Sequence, residues 1–239
     1  MTIRKKFVFI FLSFVILSTI TGCVYLRFLK LKNQMADFNK NFEITEKNGL
    51  SLVFLNPVLK KSDMVWLMGT EPTIMEVDGN PDNWIYELKK RYRGKKNEEG
   101  NFDIPLDLTF EKNKLTVFTM PERFSKYFSK SLFAKFLSTL GQAEIDKGDK
   151  QASSTYEGAS KTEIPTTKEI RAVLGKPYIL NPSKEDFAYV YRYKVLSPDP
   201  EKNLGVKFTF NFNKETDFLE SVVANIKGLK INISFSDLQ

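Results

Sequence analysis

Apolar and polar residues alternate in several separate stretches, and the spacing predicts antiparallel strands. Ile104, Leu106, Leu108 and Phe110 recur at every second position, as do Val206, Phe208, Phe210 and Phe212. A strict period of two gathers the apolar side chains on one face and leaves the other to solvent. Residues 84–88 (Trp-Ile-Tyr-Glu-Leu) and 189–193 (Tyr-Val-Tyr-Arg-Tyr) are aromatic and alternate in the same way, as strands do. Each is followed by a charged loop, 89–101 or 197–203, and then by one of the two alternating runs above. A turn (111–114; 213–217) leads to a third strand, Leu115 to Met120 or Phe218 to Ile226. Ile231, Ile233 and Phe235 form a last alternating strand. Phe42 to Thr45 and Leu50 to Leu55 flank Asn48-Gly49, a strong hairpin signal. Phe124, Phe128, Leu132, Phe136 and Leu140 are four apart, with Lys126, Lys130 and Lys135 off that stripe. This spacing predicts an amphipathic helix over 124–140.

Two short helices precede the aromatic strands. The run from Ser62 to Pro72 and the run from Thr166 to Pro177 share one layout: a polar start, two helical turns, a glycine (Gly69, Gly175), then a proline. Thr166 and Glu169 have capping-box spacing. The glycines suit the left-handed position past a helix end, and the prolines prevent continuation. Helix, aromatic strand, loop and meander thus occur twice. The expected fold class is α+β: two related units, each of short helices packed on a three- to four-stranded antiparallel meander. The first unit spans 42–146 and the second 164–239. The small polar stretch within 147–163 (Gly148 to Ser160) is expected to link them.

The start of the chain changes the picture of where this fold works. Arg4, Lys5 and Lys6 precede the charge-free apolar run Phe7 to Leu17, and small residues lead to Ile20-Thr21-Gly22-Cys23. That is the layout of a secretory signal peptide closing on a lipobox, so residues 1–22 are expected to be removed and Cys23 lipidated. Acyl chains on that thiol would hold the chain at a membrane, at about 0.8 kcal/mol per buried CH₂. The competing reading is an uncleaved signal anchor extending to about residue 29, because Phe7 to Leu26 is roughly the 20-residue length of a membrane span. Residues 23–41 read as a helical tether. In both readings the cationic start stays cytoplasmic and the rest is exported, anchored at the cell envelope outside the cytoplasm. In a diderm organism Val24 after the cysteine points to an outer membrane facing the periplasm.

Composition narrows the chemistry. The exported part is about 215 residues, one large domain or two small ones. With 42% hydrophobic residues and 21 Phe the chain can build a real core. Cys23 is the only cysteine, so there is no internal disulfide. There is no histidine, hence no His metal site, no Ser-His or Cys-His nucleophile and no histidine base. No cofactor or metal is expected. The net charge of +7 includes the three cations of the leader, and the remaining Lys residues are interleaved with acids. A nucleic-acid surface should be concentrated, so no nucleic-acid partner is expected.

A polar cap, a short helix ending in Leu174-Gly175-Lys176-Pro177, an aromatic strand carrying Tyr191, and alternating strands behind a lipobox resemble the SmpA/OmlA (BamE-type) outer-membrane lipoproteins. The second half carries the resemblance best, and Met68-Gly69-Thr70-Glu71-Pro72 is a diverged echo with one inserted residue. Two such units in tandem look like the β-lactamase-inhibitor-protein architecture. The resemblance implies a non-enzymatic lipoprotein that binds a protein partner or acts as a scaffold in outer-membrane assembly or maintenance. The alternative it implies is an inhibitor that covers a secreted or periplasmic enzyme with a concave sheet face.

Among candidate sites, Tyr189, Tyr191 and Tyr193 form a stripe with apolar area and polar tips, the chemistry of interface hot spots. They are the expected partner-binding residues, against an alternative in which they line a sheet face covered by helices. Asp103 and Asp107 could pair for acid–base work, but they alternate with apolar residues and read as a solvated face. Glu76, Asp78 and Asp82 could ligate a hard cation, but their segment reads as a turn. No catalytic residues are assigned.

Overall fold

The structure is a computed structural model that describes residues 24–46, 49–76, 81–91, 102–146, 148–158, 160, 163–180 and 186–236. The leader and Cys23 lie outside the described residues. The chain opens with a helix, α1, over 24–36, followed by the short α2 (Phe38–Asn41). The hairpin β1 (Phe42–Thr45) and β2 (Leu50–Phe54) comes next. Then follow α3 (Lys61–Met68), β3 (Ile74–Glu76), β4 (Asp82–Lys90), β5 (Ile104–Glu111) and β6 (Lys114–Met120). The middle of the chain forms α4 (Glu122–Ser125), α5 (Lys130–Gly141), β7 (Glu144–Asp146) and β8 (Gln151–Glu157). The last part forms α6 (Thr167–Leu174), β9 (Tyr178–Leu180), β10 (Asp186–Val195), a 3₁₀ turn at Pro200–Lys202, β11 (Leu204–Asn213), β12 (Leu219–Ile226) and β13 (Leu229–Ser236).

The thirteen strands among the described residues belong to one sheet, ordered β1-β2-β6-β5-β4-β10-β11-β12-β13-β8-β7, with β3 paired to β4 and β9 to β10. This corrects the expected fold of two units on separate three- to four-stranded meanders. The cause is an edge-to-edge pairing. The C-terminal ends of β4 and β10 run antiparallel, with Leu88 opposite Val195 and Lys90 opposite Tyr193. Arg91 N–H donates to Arg192 O at 2.7 Å and Leu196 N–H to Glu87 O at 2.9 Å, extending the seam. Two bare edges in the same chain satisfy each other's backbone groups instead of facing water. Within the stretch expected as a linker lies a strand: β8 pairs parallel to β13 along its length, from Gln151–Lys230 to Glu157–Ser236.

The local design around each aromatic strand recurs along this sheet. Residues Lys60 and Thr166 precede α3 and α6 and bridge to Lys114 and Phe218, at the starts of β6 and β12. The β5–β6 register slips at Thr109/Phe110 and the β11–β12 register at Asn211/Phe212. Tyr86 Oη donates to Thr70 O at 3.1 Å and Tyr191 Oη to Gly175 O at 3.0 Å, each 16 residues back. Each helix therefore ends against a buried tyrosine from its own strand. The caps differ in detail. Thr166 and Glu169 complete a reciprocal box, whereas Asp63 alone reaches back to the Lys60 N–H at 2.8 Å.

The core lies on one face of the sheet. From edge to edge, Leu52, Phe110, Leu108, Trp84, Tyr86, Val195, Tyr191, Phe210, Leu219 and Ile233 all point to it, and all are buried. The described helices pack there: Phe28, Leu31 and Met35 of α1, Met64 and Met68 of α3, Leu132 and Phe133 of α5, Ile170 and Val173 of α6. The helix expected over 124–140 is broken in two, because Ser129 is extended and caps α5 by accepting from Leu132 N–H at 3.1 Å. Its inward stripe consequently includes Phe133 and Leu137, which the simple four-residue spacing omits.

Candidate functional site

The tyrosine stripe of β10 points into the core. Tyr189 is 6% exposed, and Tyr191 and Tyr193 are 0% exposed. Tyr189 meets Phe212 edge-on at 5.0 Å, Tyr191 meets Phe210 at 5.7 Å, and Tyr193 meets Phe208 at 6.1 Å. These rings are covered by the helices, so they offer no surface to a partner, and the expectation that they bind one is corrected. The reason is parity. The opposite residues of β10 are Val190 and Arg192, and the face bearing three aromatic rings is the one worth removing from water. Burial pushes the Tyr191 and Tyr193 hydroxyls well above the ordinary phenol range, which keeps them neutral and unreactive.

The carboxylates do not assemble. Asp103 Oδ1 accepts from the Lys90 N–H at 2.9 Å at the end of β4. Asp107 lies exposed on the opposite sheet face, across from Ile85 and Thr119, where partial desolvation raises its pKa. Asp82 pairs with Lys61, whose ammonium also lies over the Trp84 ring. Glu76 is exposed on β3, and Asp78 lies outside the described residues. Among the described residues no group of three His, Cys, Asp or Glu could hold a metal ion.

Two features were not legible in the sequence. The first is the docking of α1. Arg27 grips the fully buried Asp63 carboxylate with two bonds, Nε to Oδ2 at 2.6 Å and Nη2 to Oδ1 at 2.5 Å. The segment expected as a tether is thus clamped to the body. At its other end Gly141 of α5 admits the α1 backbone so closely that a Cβ there would lie 2.1 Å from Ala36 N. The second is a wholly apolar cavity of about 180 Å³ between α4, α5 and the sheet, walled by Phe124, Phe128, Phe136, Phe208 and Phe210 among others. No ionisable group lines it, so it offers nothing to acid–base chemistry.

The face opposite the core carries no helix among the described residues. Ser51 and Thr119 share a hydrogen bond of 2.8 Å there, and Asn211 donates to Ser221 Oγ at 2.8 Å. Lys89, Lys194, Arg192 and Lys207 share this face with Glu87, Asp107, Thr109 and Thr209. Ile85 and Val223 lie among these polar and charged residues, and Ala188 and Val190 on the same side of β10 are buried. No family model, curated protein or solved structure matches the chain. No helix among the described residues is long and apolar enough to cross a membrane; Cys23 and the leader are outside that range.

Proposed function

We propose that the protein is a non-enzymatic, membrane-anchored protein of the bacterial envelope that binds a protein partner or acts as a scaffold through the uncovered face of its sheet. Its N-terminal segment holds it outside the cytoplasm, by lipidation of Cys23 or as an uncleaved anchor. The observation that carries this reading is the asymmetry of the sheet. The described helices pack on one face of the sheet, and none of them covers the other face, where residues from β5, β4, β10 and β11 such as Asp107, Lys89, Arg192 and Lys207 are exposed, although Ser51, Ala188 and Val190 on that side are buried. An uncovered sheet face of this kind is a surface for recognition, and it is mounted on a body whose first helix leads directly to the anchor. Outer-membrane assembly or maintenance is the process the resemblance suggests.

A photo-crosslinking amino acid placed in the full chain tests this in cells. At Thr109, Thr209 or Val223 on the open face, irradiation is expected to give a discrete adduct with a second protein. The same probe at Ser131 on α5 is the comparison. Adducts only from Ser131, with none from the sheet positions, would overturn the reading.

A further inference from the structure

The first turn of α1, the middle of α3 and the β12–β13 turn meet at one end of the molecule. The Phe28 and Trp66 rings lie 5.7 Å apart. Lys227, in the β12–β13 turn, donates from Nζ to Trp66 O at 2.9 Å, and the same ammonium lies 5.1 Å from the Trp66 ring centroid. Tyr25 is three residues before Phe28 and so shares its stripe on α1; Leu26 and Lys30 share the next one. The large side chains here are exposed: Trp66 at 43%, Tyr25 at 40% and Leu26 at 62%. Lys30, and Lys60 at the start of α3, are exposed as well.

Exposed Trp and Tyr with flanking Lys are the composition of a membrane–water interface. Their rings are apolar with a polar tip, and lysine stems lie along apolar surface while the ammonium stays in water. Continuity adds to this. The sequence that leads into α1 carries no charge from Phe7 to Leu26, the third residue of the described helix. Arg27 is three residues into the described helix, about 4.5 Å along its axis at 1.5 Å per residue. At that point it is locked to Asp63, so α1 cannot swing and α3 is carried to the same level as the attachment.

We propose that this end of the molecule lies in the head-group layer of the membrane, with Tyr25, Leu26 and Trp66 at the interface and Lys30 and Lys227 among anionic head groups. The inference rests on the anchored reading given under Proposed function. It adds an orientation, in which the body lies against the bilayer by a defined patch instead of hanging from a loose tether.

The test uses the full-length chain, purified from membranes and reconstituted into vesicles of phosphatidylcholine and phosphatidylglycerol. The chain has two tryptophans, and Trp84 is buried in the core. Lipids brominated near the head group should quench part of the tryptophan emission of wild type. That quenchable part should be lost in Trp66→Phe, a substitution at an exposed site that leaves the core intact. If the protein floats with the vesicles but Trp66 is reached by aqueous iodide and not by brominated lipid, the patch is overturned while anchoring stands. If the protein does not float with the vesicles, the anchored reading is overturned and this inference with it.

Discussion

Asp63 Oδ1 and Oδ2 accept from Arg27 Nη2 and Nε, and Oδ2 also accepts from the Lys60 N–H that starts α3. One buried carboxylate thus holds two helices, and removing it strands both partners. Breaking a buried pair from one side is strongly destabilising, so Asp63→Ala is expected to cost about 3 kcal/mol. Urea denaturation measures the loss, and hydrogen exchange should show it concentrated in 24–36; unchanged protection of that helix would contradict the account. Lys90 gives a second expectation. Its ammonium donates to Leu174 O at 2.6 Å and lies 5.1 Å from the Tyr191 ring centroid, and burial lowers its pKa to about 8. A lysine in the unfolded chain keeps its proton to about pH 10.4. Between about pH 8 and 10 the unfolded state therefore binds more protons, and stability contributed by this group rises with pH. The stability of wild type relative to Lys90→Met should increase across that window, and a flat difference would show an ordinary amine. Neither pairing was legible beforehand, since the partners lie 36 and 84 residues apart and one of them is a backbone carbonyl. The tyrosines of β10 were legible as a stripe, but alternation alone does not say which face the helices will cover.

At the scale of elements, Gly141 ends α5 where α1 crosses it, and a methyl group there meets the backbone of Ala36. Alanine favours a helix over glycine by about 1 kcal/mol. Forcing the two helices apart should outweigh that, and Gly141→Ala is expected to lower stability by about 2 kcal/mol. Gly205→Ala is the control, because nothing lies within 4 Å of its added Cβ; thermal melts should separate the two, and equal melting temperatures would sink the close-approach argument. The strands legible by two-residue periodicity are β4, β5, β10, β11 and β13; β1 and β2 were legible from the Asn48-Gly49 turn between them, β6 and β12 from the turns before them, and α3 and α6 from their Gly and Pro stops. Three short strands escaped because they carry too few residues for a period to appear: β3, β7 and β9. β8 escaped for a different reason. Its Gln-Ala-Ser-Ser-Thr-Tyr-Glu sequence resembles a linker, with only Tyr156 buried, 5.8 Å from the Phe235 ring. A strand that adds parallel to a distant edge is specified by that edge, β13, and not by its own pattern. The break between α4 and α5 hinged on the Ser129 cap, which a stripe of Phe and Leu at helical spacing hides.

At the scale of the molecule, the recurring design is welded into one body by contacts that cross the β4–β10 seam. Thr70 Oγ1 donates to Ser197 Oγ at 2.5 Å, Tyr178 Oη to Arg91 O at 3.2 Å, and Lys90 to the C-terminal carbonyl of α6. Leu204 of β11 packs beside Gly69 at the end of α3. Each helix end therefore leans on the other half, and losing either half would expose a sheet edge, buried tyrosines and unpaired carbonyls together. A chain of this kind should unfold as a unit, even though its sequence reads as two repeats with a polar stretch between them. Both tryptophans lie in the first half, and Trp84 is buried in its core, so the Trp84 emission, isolated in a Trp66→Phe background, reports on that half, while far-UV circular dichroism reports on the strands of both. Coincidence of transitions seen by different probes is the test of two-state behaviour. In a urea titration the fluorescence and dichroism curves are expected to share one midpoint and one slope, with Lys90→Met and Asp63→Ala moving both curves together. A fluorescence midpoint displaced from the dichroism midpoint, or a second step in either curve, would mean that the seam is too weak to couple the halves. In that event the open face would be two surfaces free to change their relative angle, and a partner spanning the seam would have to fix it on binding.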